Sequence, residues 1–229
     1  MSTTPDKDQI MLLETLDVQG QRVADIGCGR GGLVRFLRAH GALVAGIECA
    51  EQQIGAARAA DPEHTGDYIQ GVAEDLPLPD AGTDIAIFFH SLHHVPGENM
   101  ATALAETHRI LAPGGSAYVV EPVATGPSHE LDRLIDDETE VRAAAQAALE
   151  RADGIGFERI AAFDYDTTYS YRDFDDYRNL MTGIDPVRQA RFEAVGQEAE
   201  ETFQRVGKTN ETGTGFDQPN RVVVLRKPG

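Results

Sequence analysis

Between positions 22 and 122, five short apolar runs alternate with segments of helical periodicity, and that alternation restricts the chain to one class of fold. The runs are RVADIG (22–27), ALVAGIE (42–48), YIQGV (68–72), DIAIFF (84–89) and SAYVVEP (116–122). Helical segments lie between them: Leu33, Val34, Phe36 and Leu37 mark one, EQQIGAARAA (51–60) is the next, and 100–111 is a third, stopped by APGG. Pro and Gly just past a last turn end a helix because neither continues it. DIAIFF is apolar without alternation, as a strand covered on both faces must be. Strands and helices at this spacing build a doubly wound parallel sheet whose ligands bind beyond the strand C-termini.

Beyond Pro122 the pattern changes. Leu131, Leu134, Ile135, Val141, Ala145, Ala148 and Leu149 fall on one face of a long predicted helix, with DDETE (136–140) as its solvated acidic face. Phe163, Tyr165, Tyr169 and Tyr171 occupy odd positions among mostly polar neighbours, the period of a strand. A helix over 187–206, carrying Phe192, Val195, Ala199 and Val206, precedes a last strand, RVVVLRK (221–227). Ile10, Leu13 and Leu16 predict a short opening helix. The fold class read from these elements is α/β: a doubly wound, mostly parallel seven-stranded Rossmann-like sheet with helices on both faces and a lid inserted in the C-terminal half. One domain is expected over 1–229, with a cofactor-binding half at 20–122, lid and C-terminal elements at 123–220, and the last strand at 221–229. Segment 125–177 is the candidate lid. Its rings Tyr165, Tyr169, Tyr171 and Phe174 either line a substrate pocket or pack the strand against a helix or a partner subunit, the second being the simpler reading. Arg133 and Arg142 read as surface charges rather than an anion clamp.

The formal net charge of −18 repels phosphate backbones and anionic lipid, so neither nucleic acid nor a membrane is an expected partner. Acidity serves solubility first; a cationic substrate is a weaker additional reading. Apolar content of 41% includes no run long enough to span a bilayer. MSTTPDKDQIMLL lacks the basic start of a signal peptide, and two cysteines, Cys28 and Cys49, are too few for a disulfide framework. A cytoplasmic location is expected, as a monomer or homodimer.

VADIGCGRGG (23–32) holds Gly27, Gly29 and Gly32, the G-x-G-x-x-G spacing of a dinucleotide loop. Such glycines let backbone approach a ligand at a helix N-terminus, whatever the ligand is. Asp25 discriminates: its charge beside the loop repels a pyrophosphate and attracts an ammonium or sulfonium.

DIGCGRG at the first strand, Glu48 ending the second, GVAEDLPLPDAGTDIAIFFHSLHHV (71–95) and HRILAPGGSAYVVEP (108–122) come in order and together resemble the class I S-adenosylmethionine-dependent methyltransferases, in particular the ubiquinone/menaquinone-biosynthesis-like small-molecule group. The resemblance covers roughly 20–122. It implies S-adenosylmethionine as cofactor, S-adenosylhomocysteine as product and a small-molecule acceptor attacking through N, O, S or C by in-line displacement. Carried over, Asp25, Gly27, Cys28 and Gly29 surround the methionine part, Glu48 takes both ribose hydroxyls, Ala73 and Glu74 lie at the adenine, and His90 sits beside the methionine moiety. The sequence departs from the family at Val72, where an Asp is common, so adenine recognition through that carboxylate is absent, with Glu74 or Asp75 as candidate replacements. His90, His94 and Glu121 are candidate catalytic groups, with His93 a further base candidate, because imidazole titrates near neutrality. Histidine and carboxylate are acceptable metal ligands, but this spacing is no recognised metal pattern and no metal is expected. Two alternatives stay open: an NAD-dependent oxidoreductase, which Glu48 would serve equally well, and a non-catalytic S-adenosylmethionine-binding protein.

Overall fold

A computed structural model describes residues 6–184 and 187–229, so the opening MSTTP lies outside the described residues. The strands are β1 (Arg22–Ile26), β2 (Leu43–Glu48), β3 (Tyr68–Gln70), β4 (Thr83–Phe89), β5 (Leu111–Pro122), β6 (Glu158–Tyr171), β7 (Lys208–Asn210) and β8 (Gly213–Arg226). The helices are α1 (Lys7–Thr15), α2 (Gly32–Ala39), α3 (Glu51–Ala60), α4 (Met100–Ile110), α5 (Gly126–Asp132), α6 (Thr139–Glu150), α7 (Phe174–Ile184) and α8 (Val187–Val206). The sheet runs β3-β2-β1-β4-β5-β8-β6, with β7 paired to β8. The β1–β2, β1–β4, β2–β3 and β4–β5 pairs are all parallel. Strand order reverses between β1 and β4, the switch point at which a doubly wound sheet opens a crevice.

Chain contacts divide the protein into two compact units. Of the described residues, the first holds 6–121, 144–163 and 222–229, the second 122–143, 164–184 and 187–221. Ala24, Ile26, Phe88, Leu104, Val119, Leu149, Phe157 and Val223 belong to the core of the first, each buried. The second unit closes over rings: Phe203 and Phe216 lie 4.8 Å apart, Tyr171 and Tyr177 5.1 Å, Phe174 and Phe203 5.6 Å. Tyr171 and Phe174 are therefore spent on packing rather than on a pocket wall, while Tyr165 is half-buried and Tyr169 exposed. Among the described residues no helix is long and apolar enough to cross a membrane.

Three expectations change. The long helix over 131–149 is two, α5 and α6, because acids of the DDETE run bind groups of their own at the break, while Asp137, Thr139 and Glu140 stay exposed as a solvated face. Asp137 Oδ1 accepts the Thr139 N–H at 3.0 Å and its hydroxyl at 2.6 Å, the local side-chain bonding that starts a new helix. Asp136 takes Arg188 at 2.6 Å. Arg142 is not a surface charge: it is 8% exposed, bonded to Glu138 at 2.7 Å and 3.4 Å from both His129 Nδ1 and Gln218 Oε1. The sheet also has an eighth strand, β7. Its KTN sequence carries no apolar alternation, and the hairpin to β8 is set by Asn210 Oδ1, which accepts from the Thr212 N–H and hydroxyl, both at 2.9 Å.

The ring cluster makes a prediction. Phe216→Ala leaves a hole against Tyr171 and Phe203 and costs about 3–5 kcal/mol. Leu180→Ala, at a position 53% exposed, changes stability by about 0.5 kcal/mol or less. Urea unfolding of the two variants measures the difference.

Candidate functional site

The loop after β1 is fixed by backbone contacts. The N–H groups of Gly27 and Cys28 both donate to the Ile47 carbonyl, at 2.8 and 3.0 Å. Gly27 has φ +81°, and a Cβ there would lie 2.6 Å from Ser91 Cβ. Ser91 in turn donates its hydroxyl to the Ile26 carbonyl at 2.6 Å, tying the exit of β4 to the end of β1. Gly29, with φ +53°, faces open space. The third special glycine is Gly31, not Gly32. Gly31 is the N-cap of α2 with φ +70°, and a Cβ on it would fall 2.4 Å from the Tyr68 ring, whereas Gly32 has ordinary φ and open space.

Two carboxyls sit at this loop. Asp25, in β1 between Gly46 and Ile87, is 1% exposed, and its Oδ2 has no hydrogen-bond partner. Burial first, and the charge of Glu48 second, push its carboxyl up to about 7. Glu48 accepts the Gly29 N–H through Oε2 at 3.0 Å and the Ala50 N–H through Oε1 at 2.8 Å. Cys28 is buried, and burial with both neighbouring acids raises its thiol far above the ordinary range, so it packs rather than reacts.

Above the loop opens a cleft of about 660 Å³. Gly27, Gly29, Glu48, Ala73, Glu74, His90 and His94 all line it, with Val72 and Ser91. Asp25 and Cys28 are not on this wall but buried beneath the loop. Glu74 accepts from Asn99 Nδ2 at 3.0 Å. Val72, where the family often has Asp, bridges to Asp75 in a tight turn and is 45% exposed.

Glu121 does not reach the cleft. It is fully buried on β5, where Oε1 accepts the Leu92 N–H at 2.8 Å and Oε2 pairs with His93 Nδ1. It thus clamps the turn after β4, and His93, 4% exposed, is held with it. A carboxylate so enclosed neither meets an acceptor nor holds a cationic substrate. His94 packs at a tilt against His93, with ring centres 4.0 Å apart.

His90 has φ +55°, which is unusual for a residue with a side chain. Its N–H donates to the Val120 carbonyl at 2.9 Å, and its Nε2 lies 3.3 Å from Oδ2 of Asp8 on α1. Sequence reasoning missed Asp8 and Ser91, and chose Gly32 over Gly31. The GRGG run offered two adjacent glycines with nothing to separate them. Asp8 reads as an ordinary acid in the first turn of a helix.

Two predictions follow from the loop. Gly31→Ala destabilises by about 1–2 kcal/mol or more from its left-handed backbone, with the Tyr68 contact in addition, while Gly32→Ala is neutral or slightly stabilising. Urea denaturation separates them. Asp25 has a folded pKa raised above its unfolded value. Its protonated form therefore stabilises the fold fully below about pH 4, and that contribution is lost as pH rises to about 7. Asp25→Asn removes this loss, so its stability relative to the parent increases between pH 5 and pH 8 when both are unfolded in parallel.

The family model described as a methyltransferase domain matches residues 24–119. An uncharacterized methyltransferase of Synechocystis is 34% identical over 110 residues, 48% of this chain and 51% of that protein. The 27-O-demethylrifamycin SV methyltransferase of Amycolatopsis mediterranei is 36% identical over 126 residues, 50% of this chain and 45% of that one. The chain thus spans about half the length of the curated relatives it matches. A Bacillus halodurans crystal structure assigned as a methyltransferase superposes with TM-score 0.67 over 96% of this chain and 99% of its own, at 20% identity, a likeness of fold. The matched segment contains β1 through most of β5, the glycine loop and all but Glu121 among the groups placed above, apart from Asp8. Residues 24–119 thus match the methyltransferase domain model, and the chain has a Rossmann-like fold.

Proposed function

We propose that the chain binds S-adenosylmethionine in this cleft and transfers its methyl group to a small molecule by in-line displacement. The observation that carries this reading is the pairing of Asp25, buried and unpartnered at Oδ2, with Glu48 at a glycine loop. Two carboxyls at one loop oppose a pyrophosphate and favour a ligand with cationic centres. Gly29 supports the fit, since the space a side chain would take there is open. Glu48 would serve the ribose of NAD equally well, but the two carboxyls oppose its pyrophosphate.

When bound, the cofactor supplies a methyl group already activated by its sulfonium, so the protein's share is alignment and exclusion of water. In this reading Glu48 accepts from the two ribose hydroxyls. Its Oε1 and Oε2 each hold one backbone N–H, and a carboxylate has about four acceptor sites. Asp25 complements the ammonium end from beneath the loop. The Ala73 N–H and Glu74 serve the adenine in place of the Asp that Val72 replaces, and His90 borders the methionine end. Oxygen is the favoured acceptor atom, because named relatives, among them a fatty-acid O-methyltransferase and ubiquinone biosynthesis O-methyltransferases, act there. The strongly acidic chain suits neither nucleic acid nor anionic lipid as substrate.

Calorimetric titration with S-adenosylhomocysteine, with NADH in parallel, tests the reading. S-adenosylhomocysteine binds and NADH does not. Glu48→Ala weakens binding about 10- to 100-fold, for the loss of charged hydrogen bonds of about 1.5–3 kcal/mol. Binding of NADH alone overturns the proposal.

A further inference from the structure

We propose that His90, oriented by Asp8 of α1, is the base that takes the proton of the methyl acceptor, and that the acceptor is a nucleophile still protonated at neutral pH, a hydroxyl rather than a carboxylate or thiolate. This rests on the methyltransferase reading above.

Asp8 is the first ground. The capping box of Asp6 and Gln9 fixes where α1 begins, and it thereby sets Asp8 in the first turn with only 8% of its surface exposed. Carboxylates are buried where they have a partner, and the cleft-lining His90 stands 3.3 Å away.

His90 itself is the second ground. A histidine at φ +55° adopts a backbone that glycine would adopt without strain. Strained backbone at a cleft wall is retained where the side chain serves the site. Neighbouring groups are committed elsewhere. His93 is tied to Glu121, both are buried, and the Cys28 thiol is buried with its proton. Tyr118 on β5 feels the charge of Asp8, but its hydroxyl is fully enclosed and lacks a hydrogen-bond partner. Tyr118 from β5 is thus a further titratable group beside Asp8, and His94 shares the cleft wall with His90.

With Nε2 protonated toward Asp8, the other ring nitrogen, Nδ1, is left as the base. The acceptor oxygen forms its bond to the methyl carbon as the carbon–sulfur bond breaks, and that electron pair stays on sulfur in S-adenosylhomocysteine. The acceptor proton passes to Nδ1. The resulting imidazolium is stabilised by the Asp8 carboxylate and returns the proton to solvent. His90 is then a catalytic residue and Asp8 a positioning residue. A carboxylate or thiolate acceptor has no proton to lose and no use for the pair.

The test has two arms. Imidazole nitrogen NMR of the ligand-free protein, with His90→Asn for assignment, reports which nitrogen carries the proton. The expected result is His90 protonated on Nε2, with that preference lost in Asp8→Asn and kept in Asp8→Glu. Methyl transfer from labelled S-adenosylmethionine is then measured on ring-substituted phenols of graded acidity and on octanoate. Phenols are methylated and octanoate is not. His90→Asn, whose side chain tolerates the left-handed backbone, lowers kcat on the least acidic phenols about 100-fold. KM for the phenol changes less than kcat, and the deficit shrinks as the phenol becomes more acidic. Octanoate turnover without phenol turnover, an unchanged kcat in His90→Asn, the absence of a tautomer preference, or inactivity on all phenols while S-adenosylhomocysteine still binds would each overturn the proposal. Failure to bind S-adenosylhomocysteine would instead strike the underlying methyltransferase reading.

Discussion

Gly27 and Ser91 approach so closely that one added methyl group at position 27 would force β1 and the exit of β4 apart. The rest of the site takes its register from that contact. It lies where strand order reverses, and the Ser91 hydroxyl bonded to the Ile26 carbonyl locks the two strand ends together. From the same place the loop runs to Gly29 and is held by Glu48, while the turn after β4 presents His90 and His94. A single close approach of backbone thereby sets the floor and one wall of the cleft.

The opposite constraint on that turn comes from β5. Glu121 reaches back with both oxygens, one to the Leu92 N–H and one to His93, so the turn is held between two strands rather than floating over the sheet. This arrangement sorts the three histidines by role. His93 is part of the frame, His94 packs on it, and His90 has its ring directed to Asp8 and the cleft. Four ionisable groups, His90, His93, His94 and Glu121, thus divide into a buried structural pair and a cleft-lining pair.

What was legible in the sequence depends on how local its cause is. β1 to β5 were readable because a strand buried on both faces writes its burial as a continuous apolar run, and the glycine loop because its spacing is short. Gly31 was not distinguishable from Gly32, since the difference is a left-handed φ and a tyrosine 37 residues on. The break between α5 and α6 was hidden because apolar periodicity carries through it, while its cause, Asp137 bonding Thr139, competes with the helix without altering that period. Glu121 seemed free to act because the group it binds lies 28 residues away, and Asp8 escaped notice because its partner lies 82 away. Tyr171 and Phe174 show the same limit: alternation gave the strand, but only the rings of Tyr177, Phe203 and Phe216 decide that they fill a core.

Asp25 ties fold and function together most directly. A carboxyl buried with one oxygen unpartnered, beside a second acid, weakens the fold wherever it ionises, and desolvation raises its pKa in response. Replacing it with an apolar residue of similar volume would relieve that strain at no cost to the β1 ladder, whose hydrogen bonds are made by backbone. Retaining it is therefore a cost in stability, which the cationic centres of the proposed cofactor would offset. A cationic group in the cleft stabilises the ionised form, and a pyrophosphate would compound the repulsion already present from Glu48. Under the proposed function, the group whose ionisation costs the fold is the same one that lets the cleft discriminate between ligands by the sign of their charge.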